Sequence, residues 1–419
     1  MPRICYFVHT NPFGMHNRRY DIILWGASGF TGRLVAEYLG RQYQGQDLRW
    51  AVAGRNEEKL KSVLNELGLP HISIILADGF DKNSLLAMTA QGQVICTTVG
   101  PYSQYGSLLV EACVETGTHY CDLCGEAGWV RQMIDRHHIE AAQKQLKIVH
   151  CCGFDSIPSD MGVYFLQKSI HAQCGQYARH IGLRLKAAKG GLSGGTFYSM
   201  LAILQEARKD RAYARSIARP YTLNPDPEFA GPDVGDLQKV VYDHVAKSWI
   251  APFIMASINT RVVRRSHALL GFPYGQNFTY EEAMLSGKGL KGRFKAWMIL
   301  LGLGLIMAAK PGSLVYKLLL SRMPKPGEGP SPAAREAGFF YFLIFGQLPD
   351  GQIVTASVKG DRDPGYGSTS KMLAECAVCL AKDGDALPTI YGLLTPSTAM
   401  GDVLLERLVT NAGLSFELK

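Results

Sequence analysis

The sequence predicts an α/β protein in which a doubly wound parallel sheet is joined to a second domain that is either inserted or appended. Short apolar runs alternate with helical stretches from Tyr20 onward, as a parallel sheet with crossover helices requires. A glycine-rich turn follows the first apolar run, where such a sheet passes into its first helix. The alternation stops near Asp160, so a second domain of different architecture is expected beyond that point.

Each strand of the parallel sheet is predicted from a short apolar run bounded by turn residues. These strands are 20–25, 48–53, 71–76, 94–99, 119–123 and 147–152. Helical periodicity between them predicts crossover helices at 31–41, 57–67, 107–116 and 129–145. This succession is that of a Rossmann-type nucleotide-binding domain.

The second domain shows three local signals. A strand is predicted at 180–188, and the glycine-rich turn at 190–195 opens a helix. The Pro-Asp-Gly turn at 349–351 joins two apolar runs, 339–347 and 353–359, and so predicts a β-hairpin.

The composition is that of a globular chain, with 47% hydrophobic and 19% charged residues among 419. The net charge of +8 comes from scattered Lys and Arg, which argues against a nucleic-acid partner and for an anionic cofactor, substrate or membrane surface. Ten cysteines without a secretory signal predict free thiols in a reducing cytoplasm. The CxxC pairs at 121–124 and 376–379 are far apart, so we expect buried thiols and no metal.

The glycine-rich turn has the properties of a phosphate-binding loop. Gly26 permits a tight turn, Gly29 lets a pyrophosphate approach the backbone, and Gly32 lets the helix pack closely on the strand. The N-terminus of the following helix then offers unpaired N–H groups and a positive dipole end to the phosphates. The predicted loop consists of Gly26, Ala27, Ser28, Gly29, Phe30, Thr31 and Gly32.

The second strand ends in Arg55 and Asn56, where an NAD site normally carries an acid for the ribose 2′-hydroxyl. A planar cation at Arg55 suits a 2′-phosphate instead, so we expect NADP(H) as the cofactor. Asp78, after the third strand, fits two roles that stay open, an acceptor for the adenine amino group or a solvated loop residue. After the fourth strand, close approach to the nicotinamide ribose is expected at Val99, Gly100 and Pro101.

Three side chains at the carboxyl ends of strands four to six are the predicted proton donors. They are Tyr102, Asp122 and Asp155. Two alternatives stay open, because Tyr102 also fits a packing role and Asp155 also fits a helix cap near Pro158. The reactive cleft is expected between the two domains, with 193–196 on its far wall.

Two further segments carry expectations that bear on partners. Arg261, Arg264 and Arg265 are expected on a solvated helix face. The run 297–309 is uncharged and flanked by basic residues, but is too short to span a bilayer. Three hypotheses remain for 288–310: peripheral membrane contact, the lining of an acyl tunnel, or a buried helix at a domain or subunit interface such as that of a homodimer.

Several of these stretches resemble the saccharopine dehydrogenase-like oxidoreductases, and most closely the branch of mycobacterial trans-acting enoyl reductases. The matching stretches are 26–32, 53–59, 98–102, 117–126, 153–160, 193–196, 259–270, 363–375 and 395–405. The resemblance implies an NADP-binding Rossmann domain at 20–156, and the residues before it, 1–19, are expected from the sequence to form a leader. The resemblance further implies an inserted α+β second domain for substrate binding and dimerisation at 157–362 and C-terminal helices at 363–419 that pack back on the first domain.

Three functions stay open on the sequence. The first is an NADPH-dependent enoyl reductase acting on an acyl, polyketide or lipid-like substrate. The second is a saccharopine-type imine reductase, which requires a polar pocket lined by arginines. The third is a cytoplasmic protein at a lipid surface that binds NADP without turnover.

Overall fold

The computed structural model describes residues 18–190, 194–226, 228–310, 312–322 and 328–419. The predicted leader at 1–19 lies mostly outside these ranges, as does Ser193. Within them, fourteen strands form two seven-stranded sheets. The strands are β1 Tyr20–Trp25, β2 Trp50–Gly54, β3 Ser73–Leu76, β4 Gly92–Thr97, β5 His119–Cys121, β6 Lys147–Val149, β7 His180–Lys189, β8 Val241–Asp243, β9 Ser248–Pro252, β10 Thr279–Gly287, β11 Phe339–Gln347, β12 Ile353–Gly360, β13 Gly392–Leu394 and β14 Leu414–Leu418.

Fifteen α-helices connect or cover these strands in the described ranges. They are α1 Phe30–Gln42, α2 Glu57–Glu66, α3 Lys82–Thr89, α4 Tyr102–Tyr105, α5 Ser107–Thr116, α6 Ala127–Gln143, α7 Ile157–Cys174, α8 Gly194–Lys209, α9 Arg211–Ala218, α10 Ala256–Leu269, α11 Gly289–Ala308, α12 Leu314–Arg322, α13 Pro332–Glu336, α14 Thr369–Lys382 and α15 Pro396–Thr410.

The first sheet is wholly parallel, with strand order β13-β6-β5-β4-β1-β2-β3. Six of its strands are those predicted from the sequence, and their order is that of a doubly wound nucleotide-binding sheet. Strands β1 and β4 are buried almost throughout because helices cover both faces of the sheet. The C-terminal helix α14 supplies part of that cover, since it packs against β1, β4 and β5.

The seventh strand of this sheet comes from the far end of the chain. Strand β13 pairs with β6 in parallel, with Leu393 opposite Ile148 and Leu394 opposite Val149. Sequence analysis did not predict it. The domain boundaries at 156/157 and 362/363 stay a prediction.

The second sheet is mixed, with strand order β14-β12-β11-β7-β10-β9-β8. Its predicted hairpin is confirmed, because β11 pairs antiparallel with β12 from Phe340 opposite Gly360 to Gln347 opposite Ile353. Strands β7 and β10 run parallel to each other, and the remaining pairs are antiparallel. This sheet is the α+β part of the fold.

The expectation of a solvated arginine face on α10 is wrong. Arg261, Arg264 and Arg265 are all buried. Their guanidinium groups bind the irregular segment before β8: Arg261 pairs with Asp236, and the Nε of Arg264 lies 2.6 Å from an oxygen of Asp233. The Arg265 guanidinium donates to the carbonyls of Leu223 and Leu393.

Burial of 297–309 at a domain interface within the chain is also wrong, whereas its burial at a subunit interface stays a prediction. The run belongs to α11, in which Gly292 and Ala296 are the buried residues. Trp297, Leu301 and Leu305 are exposed. Within the described residues, no helix combines the length and apolarity needed to cross a bilayer.

Candidate functional site

The loop between β1 and α1 leaves no room for side chains at two of its glycines. Gly26 has a φ of +100°, in the left-handed region that favours glycine. A Cβ at Gly32 would lie 2.1 Å from the carbonyl oxygen of Gly26. The first turn of the helix therefore rests directly on the loop backbone, which is the packing predicted for a dinucleotide site.

The N-terminus of α1 is open to an anion. Gly29 is its N-cap residue and provides no side-chain cap. The N–H groups of Phe30, Thr31 and Gly32 precede the first possible helical acceptor, so they point out of the helix without an intrahelical partner. Ala27 is fully buried under the loop and Ser28 is half-buried beside it. This geometry suits the pyrophosphate of a dinucleotide.

The ring of Phe30 contacts two side chains from later in the chain. It meets Tyr366 edge-on at 4.8 Å between ring centroids, and the Arg335 guanidinium lies 5.6 Å from its centroid. The Tyr366 hydroxyl in turn accepts from the N–H of Gly194, 2.8 Å away, at the start of α8. The phosphate loop is thus packed against the second part of the chain.

Arg55 lies exposed where β2 ends, and its side chain forms no hydrogen bond or ion pair with any described residue. The Oδ1 of Asn56 accepts from the N–H of Lys59 at 2.8 Å and caps α2. Asp78 accepts from the N–H of Phe80 at 3.0 Å within a turn. Arg55 is therefore free to bind an incoming phosphate, whereas Asn56 and Asp78 each have one oxygen engaged in local structure.

The residues after β4 lie beside the phosphate loop and face α8. A Cβ on Gly26 would lie 2.6 Å from Cγ2 of Val99, and a Cβ on Gly100 would lie 3.9 Å from Oγ of Ser199. Gly100 is exposed, while Val99 and Pro101 are half-buried. This segment offers backbone rather than side chains to a ligand.

Tyr102 is buried, and both roles of its hydroxyl group are used by the main chain. The hydroxyl donates to the carbonyl of Thr97 at 3.3 Å and accepts from the N–H of Leu123 at 3.0 Å. Burial raises the pKa of the Tyr102 hydroxyl well above its usual value. These contacts favour a positioning role that joins the ends of β4 and β5.

Asp122 is fully buried and has four partners. Its Oδ1 accepts from the N–H groups of Cys124 and Cys151, and its Oδ2 accepts from the Tyr120 hydroxyl at 2.9 Å and lies 2.7 Å from Nδ1 of His150. A carboxylate held in this way joins the ends of β5 and β6. Its geometry also favours a positioning role.

Asp155 differs from both, because its carboxyl group has no hydrogen-bond or ion-pair partner among the described residues. Burial raises its pKa from 3.8 to about 7. The alternative role as a helix cap is wrong, since α7 has Ser156 as its N-cap residue and no side-chain cap. A Cβ on Gly125 would lie 3.5 Å from Oδ2 of Asp155, so the loop after β5 borders this carboxyl group without a side chain.

Two side chains that are not among the three predicted proton donors connect the site to α8. Glu126 is buried, and its Oε1 accepts from the N–H of Tyr102 at 2.7 Å and from Oγ of Ser199 at 3.0 Å. Its Oε2 accepts from the N–H of Ser103 at 3.0 Å. No sequence pattern marks Ser199, which lies in an ordinary helical stretch about 70 residues away. The far wall predicted at 193–196 is described only at Gly194 and in the helical backbone after it.

The cysteines of both CxxC pairs are buried, as predicted. Among the described residues, no three His, Cys, Asp or Glu side chains cluster as metal ligands would.

Comparisons with known proteins agree with this geometry. Residues 22–149 match the family model described as the saccharopine dehydrogenase NADP binding domain. A Mycobacterium tuberculosis protein named as a trans-acting enoyl reductase is 42% identical over 413 residues, covering 96% of this chain and 97% of its own. A trans-acting enoyl reductase of Mycobacterium bovis is 38% identical over 409 residues, covering 93% and 96%.

One solved structure shares the fold across the whole chain. Saccharopine dehydrogenase (L-Glu forming) from Saccharomyces cerevisiae superimposes with a TM-score of 0.52 over 95% of this chain and 99% of its own. Its sequence identity is 12%, so the likeness is one of fold alone.

Proposed function

Because the chain belongs to the saccharopine dehydrogenase-like family of NADP-dependent oxidoreductases, in the branch of the trans-acting enoyl reductases, we propose that it reduces a C=C bond conjugated to a carbonyl. The proposed substrate is an acyl, polyketide or lipid-like chain. The observation that carries the proposal is the unpartnered Asp155 carboxyl group, whose pKa is raised to about 7 at the carboxyl edge of the sheet.

The residues that would hold NADPH fit the cofactor. The backbone from Gly26 to Gly32 and the N-terminus of α1 provide N–H groups for the pyrophosphate. The free guanidinium of Arg55 suits the 2′-phosphate. When bound, NADPH supplies the hydride for the reduction.

The chain itself supplies the proton that completes the reduction. Protonated Asp155 gives its proton to the carbon next to the carbonyl, after which it is restored from solvent. A pKa near 7 suits this role, since both protonation states are then populated at neutral pH. Tyr102, Asp122 and Glu126 influence the proton transfer indirectly, because they hold the loops at the carboxyl edge of the first sheet, where the cofactor would bind.

The surroundings of Asp155 favour an acyl substrate over an amino acid. Phe154, next to it in sequence, packs against Phe340 and Phe342 with centroids 5.1 and 5.7 Å apart. The three arginines of α10 are already engaged with Asp233, Asp236 and main-chain carbonyls, so they are not free to bind an amino-dicarboxylic acid. Peripheral membrane contact through 288–310 is part of the proposed function and is supported by the exposure of α11.

The test replaces Asp155 by Asn. We expect NADPH affinity, measured by fluorescence titration, to be almost unchanged and turnover of an enoyl thioester to fall by about 10²–10⁴. In the unmodified protein, kcat should fall as the pH rises through about 7, because the donor loses its proton there. The variant should lose this inflection.

Asp47→Asn is the matched control, since Asp47 is 93% exposed at the side chain and far from the site. Unchanged turnover in Asp155→Asn would remove Asp155 from the mechanism and direct the same test to Tyr102→Phe and Asp122→Asn. If an imine substrate oxidises NADPH but enoyl thioesters do not, the imine reductase is favoured. If neither kind of substrate oxidises NADPH, an NADP-binding protein without turnover is favoured.

A further inference from the structure

We propose that α11 and α12 form one docking surface for an anionic lipid bilayer, and that α8 connects this surface to the reactive site. The proposal that this surface binds a bilayer depends only on the properties of the surface. Its connection to catalysis rests on the proposed function. Together they imply that the chain takes its acyl substrate from a membrane surface.

The surface is apolar over two successive helices. From Ala296 to Ala308, α11 has no charged side chain on any side, a pattern that is normally buried in a protein core or in a membrane, yet most of these residues are exposed. Exposed patches of this kind mark interaction sites. We call the following residues the apolar face: Phe294, Trp297, Met298, Leu301, Leu305, Leu314 and Leu318.

The rest of the molecule holds α11 at its first turns and, through Arg208, at its C-terminal carbonyls. A Cβ on Gly292 would lie 2.1 Å from the carbonyl oxygen of Gly287, and the Arg293 guanidinium lies 5.3 Å from the ring centroid of Trp249. The contacts with β9 and β10 fix the direction of the helix. The later turns project their apolar side chains into solvent. The cations at the start of α11 suit lipid headgroups and its uncharged later turns suit the acyl region, so we place this helix at the bilayer interface.

Charge identifies the occupant. The sequence from 283 to 327 contains eight Lys and Arg residues and no Asp or Glu, in a chain whose net charge is +8. Such basic residues next to an interfacial helix attract anionic headgroups. A second copy of the chain docked symmetrically through this face would bring the same cations together, which disfavours a homodimer here. Six of the eight have described side chains on or next to the two helices: Lys288, Lys291, Arg293, Lys295, Lys310 and Lys317.

Helix α8 links this surface to the site. Near its C-terminus, Arg208 donates to the carbonyls of Ala309 and Met307 at 2.8 and 2.7 Å. Nine residues earlier, Ser199 donates to Glu126 beside Gly100. At 1.5 Å per residue, about 14 Å of helix separates the end of α11 from the nicotinamide side of the site.

The docking test uses the intrinsic fluorescence of Trp297 and sedimentation with vesicles. With vesicles of phosphatidylcholine and phosphatidylglycerol that carry brominated acyl chains, we expect quenching that is absent in Trp297→Phe. Leu301→Asp should weaken vesicle binding at least tenfold. Ile139→Asp makes the same change at an apolar side chain 72% exposed on α6, and should leave binding unchanged.

Charge is tested separately. Combined Lys288→Gln, Lys291→Gln and Lys295→Gln should reduce binding at least tenfold, and rising salt should reduce binding of the unmodified protein. Absence of vesicle binding at low salt would overturn the proposal. The proposal would also be overturned if the protein bound no vesicles and instead formed a dimer in solution that Leu301→Asp dissociates. The apolar face would then be a subunit interface.

The connection to catalysis is tested with two substrates. Leu301→Asp should leave turnover of a short water-soluble enoyl thioester unchanged and slow turnover of a vesicle-embedded enoyl thioester at least tenfold. Equal rates on the embedded substrate would overturn the connection. If neither substrate is reduced while vesicle binding persists, the proposed function fails and the docking surface stands.

Discussion

At the scale of single residues, the role proposed for Arg55 predicts that the preference for NADPH depends on this one unpaired guanidinium group. Arg55→Ala should remove most of the preference for NADPH over NADH, because the lost contact with the 2′-phosphate is charge-assisted. Such contacts are worth roughly 1.5–3 kcal/mol, so a preference of about ten- to a hundredfold should disappear. Titration of both nucleotides measures it. Arg41→Ala is the control, since Arg41 is exposed on α1 and paired with Glu37. Equal affinities in the unmodified protein would exclude Arg55 from the site.

Gly32 makes the second prediction at this scale. Gly32→Ala places a methyl group 2.1 Å from the carbonyl oxygen of Gly26, so the loop or the helix must move. We expect NADPH affinity to fall by at least about tenfold, since the loop N–H groups lose their alignment. Gly384→Ala is the control, because no atom lies within 4 Å of a Cβ there. Unchanged affinity in Gly32→Ala would mean that the loop does not bind the pyrophosphate.

The limit of sequence analysis is also visible in single residues. Tyr102, Asp122 and Asp155 all follow strands at one edge of the sheet, and this position alone offers no way to rank them. The three side chains differ in the number of their hydrogen-bond partners, and this number depends on the conformation of loops such as 123–126 and 150–153. A pattern that locates a carboxyl group does not show whether neighbouring N–H groups already occupy it.

At the scale of elements, α10 stabilises an irregular segment through buried cations. Arg264→Met should lower the free energy of unfolding by about 3–5 kcal/mol, because Asp233 would remain buried without its counter-ion. Denaturant titration measures this. Adding Asp233→Asn should recover part of the loss, since the uncompensated charge is then removed. A double variant no more stable than Arg264→Met would contradict the pairing. Arg41→Met on α1 should have little effect.

Elements with strong local signals were predicted well, and those with none were missed. The hairpin of β11 and β12 follows from two apolar runs around a turn, and β1 to β6 follow from their alternation with helices. Strand β13 has three residues and pairs with a strand some 240 residues earlier. The arginines of α10 were placed in solvent because charge usually predicts exposure, whereas several of their acceptors, Asp233, Asp236 and the carbonyls of Pro220 and Leu223, lie in a segment without periodicity.

At the scale of the whole molecule, the C-terminal segment completes both sheets. A chain ending at residue 411 lacks β14, so its Tm should fall while NADPH affinity is retained, because β14 lies in the second sheet.

A chain ending at residue 391 also lacks β13 and α15. It should lose NADPH binding, because the first sheet loses an edge strand and α14 loses its packing against α15. Calorimetry and nucleotide titration measure both effects. Full NADPH affinity in the shorter chain would show that β1 to β6 fold without β13.

The pairing of β6 with β13 has a consequence for how the protein is made. A ribosome releases about 5–20 residues per second, so β6 emerges roughly 10–50 s before its partner. During that interval the nascent chain presents an open, apolar strand edge, the kind of template on which neighbouring polypeptides aggregate. The yield of this protein should therefore depend more strongly on the speed of its synthesis and on the supply of chaperones than on its thermodynamic stability.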